Sequence, residues 1–126
     1  MENIFKNRVE AGRQLGARLK SWAGRDPVIV GLTRGGVPLA AEVAAILGAE
    51  LDVLVVRKLG SPGEPEVGIG AIAEGGVVWL EPGIERIADQ GWIRGEIVRQ
   101  EEELRRRLAL LRPLIAPLPV SSRAVI

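Results

Sequence analysis

The sequence predicts an α/β domain with three αβα layers, a mostly parallel sheet and an added β-hairpin. Val28-Ile29-Val30-Gly31-Leu32 and Leu51 to Val56 are short, almost unbroken apolar runs rich in β-branched residues, the pattern of strands covered on both faces. Between them Leu39, Ala40, Val43, Ala44 and Leu47 recur at helical spacing, so residues 28–56 read as one βαβ unit with parallel strands and a right-handed crossover. Ile69 to Ala73 and Val77 to Leu80 flank Glu74-Gly75-Gly76, which is a hairpin signal.

The other elements follow in chain order. From Phe5 to Trp22 the residues Phe5, Val9, Gly12, Gly16 and Leu19 share one helical face, with Lys6, Arg13 and Lys20 elsewhere on the wheel. Glycine disfavours a helix by roughly 1 kcal/mol, so two on the inward side predict close packing against another element. Gly24-Arg25-Asp26-Pro27 ends this helix. Pro38 is expected at the first position of the next helix and Gly48 at its C-terminal cap. Leu59 to Gly68, dense in Gly and Pro, reads as a mobile loop. From about Trp92 an apolar stripe of Ile93, Ile97, Leu104, Leu108 and Leu111 predicts a long helix, in which Glu101, Glu102 and Glu103 each precede an arginine by four. Pro113, Pro117 and Pro119 break it, and Arg123-Ala124-Val125-Ile126 looks like the first residues of a further strand.

The 126 residues fit a single domain, 1–126. Hydrophobic residues at 47% and charged residues at 26% place the chain among globular proteins rather than disordered ones. Seventeen basic against sixteen acidic residues give a balance too even for a broad nucleic-acid footprint, so any anion site is expected to be local. Cysteine is absent, the start shows no secretory pattern, and no apolar stretch approaches the ~18 residues a bilayer span requires. The expected compartment is the cytoplasm. Histidine and tyrosine are missing too, which favours chemistry by positioning over proton relay.

Thr33-Arg34-Gly35-Gly36-Val37-Pro38 lies between the first strand and its helix, where open α/β sheets take their ligands. Two successive glycines would let the backbone turn sharply and expose N-H groups, which with the positive helix end and Arg34 would make an anion cradle suited to phosphate or diphosphate. The alternative is that a strand-to-helix turn needs glycine whatever it binds. It is neither a Walker loop nor a dinucleotide fingerprint. Arg57 and Lys58 follow the second strand and either face the same anion or cap an exposed strand end. The loop after them has the composition of a closing lid. Glu64, Glu66 and Glu74 could bind Mg²⁺ indirectly or contact a base, but isolated glutamates in loops are usually solvated, and no metal ligands are assigned.

Leu32-Thr33-Arg34-Gly35-Gly36-Val37-Pro38, then Val55-Val56-Arg57-Lys58-Leu59-Gly60, then Gly68-Ile69-Gly70-Ala71-Ile72-Ala73-Glu74-Gly75-Gly76 occur in an order and spacing that resemble the type I phosphoribosyltransferase family. The resemblance is narrower to a bacterial and archaeal branch of it and spans most of residues 5–126. It implies transfer of a 5-phosphoribosyl group from phosphoribosyl diphosphate to a nitrogen nucleophile, with release of diphosphate and with Mg²⁺ bound through the diphosphate. It also implies that Thr33, Arg34, Gly35 and Gly36 hold the diphosphate, that Arg34 and Lys58 are catalytic, and that Arg57, Lys58, Leu59, Gly60, Ser61 and Gly63 belong to a flexible loop folding over the site. The transition state is oxocarbenium-like, so cations on the leaving diphosphate and exclusion of water do most of the work.

The family is further marked by an apolar strand ending in two acidic residues and a Gly/Ala-x-Thr-Gly-type loop, and this sequence has no such segment. Arg123-Ala124-Val125-Ile126 stands where that strand begins. The chain is therefore expected to be an incomplete domain that turns over no donor alone, with Val28 to Leu32 left as an open edge for self-association or for a second polypeptide. The competing reading is a non-catalytic remnant or regulatory module that keeps the diphosphate turn. A nucleic-acid regulator is disfavoured by the even charge and scarce aromatics, and the acceptor is left open.

Overall fold

The computed structural model describes residues 4–126. It forms two compact units, one running to Leu54 and taking up Ile115–Ile126 again, the other comprising Val55–Leu114.

The first unit contains helix α1 (Arg8–Arg18), strand β1 (Val28–Leu32), helix α2 (Gly36–Leu47) and strand β2 (Glu50–Leu54). Helix α1 begins at Arg8 rather than Phe5, because extended Asn7 stops the helix and its Oδ1 accepts the Glu10 N-H at 2.9 Å. Phe5 is left exposed. The two inward glycines do mark a close approach. A Cβ on Gly12 would stand 2.7 Å from the Leu39 carbonyl oxygen, and one on Gly16 would stand 2.8 Å from Ile46 Cδ1. Strands β1 and β2 are parallel, with Val28 opposite Glu50 and Leu32 opposite Leu54, as the βαβ reading requires. Val43, Leu47 and Ile29 are buried together. Gly48 closes α2 in the left-handed region, φ 61°, where the missing Cβ removes the steric penalty. Pro38 sits two residues inside α2 rather than at its first position, still within the turn whose N-H groups lack helical partners.

The edge of β1 is less open than expected. Residues 124–126 run parallel to it: Val28 N-H donates to Ala124 O at 2.9 Å, Ile126 N-H to Val28 O at 2.9 Å, and Val30 N-H to Ile126 O at 2.8 Å. Side chains hold this segment in place. Arg123 pairs with Asp26 and Glu50, each at 2.9 Å, and buried Asp52 accepts the Leu118 N-H at 3.1 Å.

The second unit is an antiparallel sheet of β3 (Val56–Ser61), β4 (Glu64–Ala73) and β5 (Val77–Leu80), with helix α3 (Gln90–Leu111) packed on it. The run expected to extend the second strand to Val56 is cut at Val55, whose N-H and C=O both bond to Glu74. The expected β4–β5 hairpin is present, and both Gly75 and Gly76 have positive φ, 89° and 79°. Helix α3 starts at the cap Asp89, whose Oδ1 accepts the Trp92 N-H at 2.7 Å, and it turns the predicted apolar stripe onto Leu59, Ile69 and Ile72. Its charge pairing is tighter than the four-residue pattern: Glu103 takes Arg106 at 2.6 Å as well as Arg107 at 3.0 Å.

Those hydrogen bonds, Arg106 first and then Arg107, hold the Glu103 carboxyl at a pKa of about 2 instead of 4.5. Burial pushes Glu96 upward, but bonds from Arg99, Gln100 and the Gly60 backbone outweigh it, so Glu96 is also lowered. A depressed folded pKa gives stability that is present above the unfolded value and lost as pH falls through the folded one. The melting temperature followed by circular dichroism should therefore drop between pH 4.5 and about 2. The drop should be shallower in Glu103→Gln, and an equal slope would remove this assignment.

Candidate functional site: the turn between β1 and α2

Strand β1 delivers Thr33 to the start of the turn, where its N-H donates to Leu54 O at 3.1 Å. The Thr33-Arg34 peptide bond is cis. Gly35 caps α2 with ordinary helical angles, φ −65° and ψ −26°, and Gly36 is not among the positive-φ glycines. The glycine pair is therefore not needed for a sharp backbone turn, which corrects that part of the sequence reading. Gly31 is the glycine that packing demands, since a Cβ there would lie 2.9 Å from Ala40 Cβ and 3.0 Å from Val37 Cα, and helix α2 could not seat on β1.

What Gly35 provides is room. A Cβ on it would stand 3.2 Å from Arg8 Nε and 3.3 Å from Arg8 Nη2, so the guanidinium of the first α1 residue lies directly over this backbone. Arg34 is exposed beside it. Among the described residues neither Arg8 nor Arg34 has an ion-pair partner. Helix α2 has no acidic residue in its first turn and no side-chain cap, and the buried Thr33 Oγ1 has no hydrogen-bond partner. Positive charge from the helix end and two guanidiniums thus gathers at one turn without a carboxylate to answer it. The sequence reading named Thr33, Arg34, Gly35 and Gly36 here and missed Arg8.

Arg57 and Lys58 lie in the second unit, on strand β3. The segment expected as a mobile loop is mostly strand: Leu59, Gly60 and Ser61 end β3, residues 64–68 begin β4, and only Pro62-Gly63 turn between them, with Gly63 at φ 76°. Glycine and proline density misled here because an irregular hairpin uses them too. The register shifts at Gly60, where a Cβ would meet the Pro65 carbonyl oxygen at 2.8 Å. Lys58 Nζ donates to Glu66 O at 2.8 Å and pairs with Glu66 Oε2 at 3.3 Å. Arg57 Nε donates to Gln100 Oε1 at 3.0 Å, Gln100 in turn donates to buried Glu96, and Trp92 Nε1 donates to Gly60 O. These residues border a polar cavity of about 470 Å³.

Glu74 is not a solvated loop carboxylate. Arg112 donates to it through Nη2 at 2.8 Å and Nε at 3.2 Å, and Val55 N-H donates to Oε1 at 3.1 Å. Among the described residues no group of three or more His, Cys, Asp or Glu is placed to hold a metal ion, and no helix is long and apolar enough to cross a membrane.

A βαβ unit with an uncompensated cationic turn at the carboxyl end of its first strand defines an α/β domain of the kind that takes ligands at that sheet edge. Comparison with known proteins then fixes the family: the phosphoribosyl transferase domain model matches residues 3–103, and the chain belongs to that family. Two Mycobacterium tuberculosis proteins, from strains CDC 1551 / Oshkosh and H37Rv, both named "Putative phosphoribosyl transferase", are 42% identical over 125 residues. That alignment takes in 98% of this chain and 28% of each relative, so the chain spans little more than a quarter of their length. The crystal structure of TT1426 from Thermus thermophilus is similar with a TM-score of 0.78 and 43% identity, over 96% of this chain and 58% of that one.

Proposed function

We propose that this chain supplies the diphosphate-holding part of a phosphoribosyltransferase, an enzyme that moves a 5-phosphoribosyl group from phosphoribosyl diphosphate to a nitrogen nucleophile. The observation that carries the reading is the turn of Thr33 to Gly36, where Arg34 and the N-terminus of α2 stand unanswered by any acidic residue in that helical turn. As the C–O bond to the ribose anomeric carbon breaks, its electron pair leaves on the diphosphate. Fixed donors aimed at that growing charge lower the barrier without reorganising. Arg34 supports this by charge, and the N-terminus of α2 by its positive end. On the strength of family resemblance, Mg²⁺ would be bound through the diphosphate.

Lys58 and the β3–β4 hairpin, with Arg57, Leu59, Gly60, Ser61 and Gly63, carry the covering role in this reading, on the strength of family resemblance. The binding test is direct: calorimetry or phosphorus NMR should show weak, millimolar binding of Mg²⁺-diphosphate to the folded chain. Arg34→Ala should weaken it about tenfold, the worth of one charge-assisted hydrogen bond. A folded sample that binds no diphosphate at millimolar ligand rejects the proposal.

A further inference from the structure

Arg8 belongs to a different helix from the turn, yet its guanidinium lies against Gly35, with Nε 3.2 Å from where a Cβ on that residue would stand. It sits there under unfavourable terms. Arg8 is the first residue of α1, so its own helix presents a positive end to it, and the N-terminus of α2 presents a second. Among the described residues no carboxylate pairs with it, although Glu42 on α2 pairs with Arg13 of the same helix at 3.4 Å. Arg34 adds another unpaired cation at the adjacent position in the chain. Packing does not require this arrangement, because Arg8 is exposed and free to extend into water. An anion at the turn would relieve it.

Resting on the reading of this turn as a diphosphate site, we infer that Arg8 is a second guanidinium ligand of that site, and that the ligand it is built for carries two linked phosphates rather than one. A guanidinium presents a planar fork of donors suited to phosphate oxygens. With Arg34 and the helix end serving one phosphate, a fork arriving from α1 over Gly35 has the second as its natural partner. Gly35 then has a defined task. It leaves the guanidinium its place, since a Cβ there would push the flexible end of Arg8 aside by a few tenths of an ångström.

The test uses the folded chain, with sodium diphosphate and inorganic phosphate as probes, read by calorimetry and phosphorus NMR. Arg8→Gln should weaken diphosphate about tenfold and inorganic phosphate less, so that the preference for diphosphate falls. Arg8→Met, which keeps the aliphatic stem, should do the same and serves if the glutamine variant does not fold. Gly35→Ala, which shifts the guanidinium only slightly, should weaken diphosphate by less than Arg8→Gln does in the parent and change nothing further in an Arg8→Gln background. A merely structural arginine would not produce that coupling. Diphosphate binding that is lost in Arg34→Ala but indifferent to Arg8→Gln and Arg8→Met overturns this inference and leaves the turn's role intact. Absence of diphosphate binding by the folded parent overturns both.

Discussion

Glu74→Ala is expected to lower the unfolding free energy by about 3 kcal/mol, the lower end for removing one partner of a buried, hydrogen-bonded ion pair. The lower end applies because both side chains keep some access to water, 18% for Glu74 and 19% for Arg112. Three hydrogen bonds to the Glu74 carboxylate are lost at once, those from Arg112 Nε, Arg112 Nη2 and the Val55 N-H. The backbone donor matters most for the fold, because Glu74 fixes Val55 at the point where one strand run is divided into β2 and β3. Glu74→Gln keeps the size and one acceptor oxygen but loses the charge, so its cost should be about half, within the range for hydrogen bonds to charged groups. Urea unfolding of both variants reads this ladder. An alanine variant as stable as the parent would mean that the Glu74 to Arg112 contact contributes nothing.

Glu74 also shows where sequence reading stopped. Its partner Arg112 lies 38 residues away, beyond the reach of any local spacing rule. Lone glutamates in Gly-rich turns are usually solvated, and that prior applied until the fold brought the arginine to it. The periodic signals did better. The β-branched run at 28–32, the helical spacing of Leu39 to Leu47, Gly48 and the stripe from Ile93 to Leu111 each report a burial pattern that one element creates by itself. The Gly75-Gly76 turn was legible for the same reason, since positive φ is a local demand.

Glycines that serve tertiary contact were read less evenly. Gly12 and Gly16 were recognised as a close approach because they interrupt a helix that would otherwise exclude them. Gly60 and Gly70 were not. A Cβ on Gly60 would meet Pro65, but inside a Gly- and Pro-rich stretch that glycine looks like loop composition; a Cβ on Gly70 would meet the Trp79 carbonyl oxygen, a cross-strand approach that a place in a predicted strand does not disclose. The candidate site divided in the same way. Thr33 to Gly36 are contiguous and could be named from the sequence, whereas Arg8 reaches them only because α1 packs on α2. Basic residues on a helix wheel normally mark the solvated face, and Arg8 is as exposed as that rule expects.

Gly12→Leu is expected to destabilise the first unit by about 3 kcal/mol, the upper part of the range for overpacking a close contact. The atoms in the way are the Leu39 carbonyl oxygen at 2.7 Å, Leu39 Cα at 3.1 Å and Glu42 Cβ at 2.8 Å. None is the far end of a flexible side chain, so α1 itself has to move off α2. Gly12 lies one helical turn beyond Arg8 and on the same face. Moving α1 therefore also withdraws the Arg8 guanidinium from Gly35, and stability and anion binding should fall together. Gly12→Ala separates the two effects. Its single methyl group already meets the Leu39 carbonyl oxygen at 2.7 Å and Glu42 Cβ at 2.8 Å, so α1 must still move, though less than leucine demands, and the better helix propensity of alanine, worth about 1 kcal/mol, offsets part of the strain. The alanine variant should remain folded at room temperature and bind diphosphate less well than the parent. Urea unfolding measures the first effect, and a phosphorus NMR titration below the unfolding transition measures the second. If Gly12→Leu unfolds at the same urea concentration as the parent, the glycine contact between α1 and α2 is not what holds Arg8 over the turn.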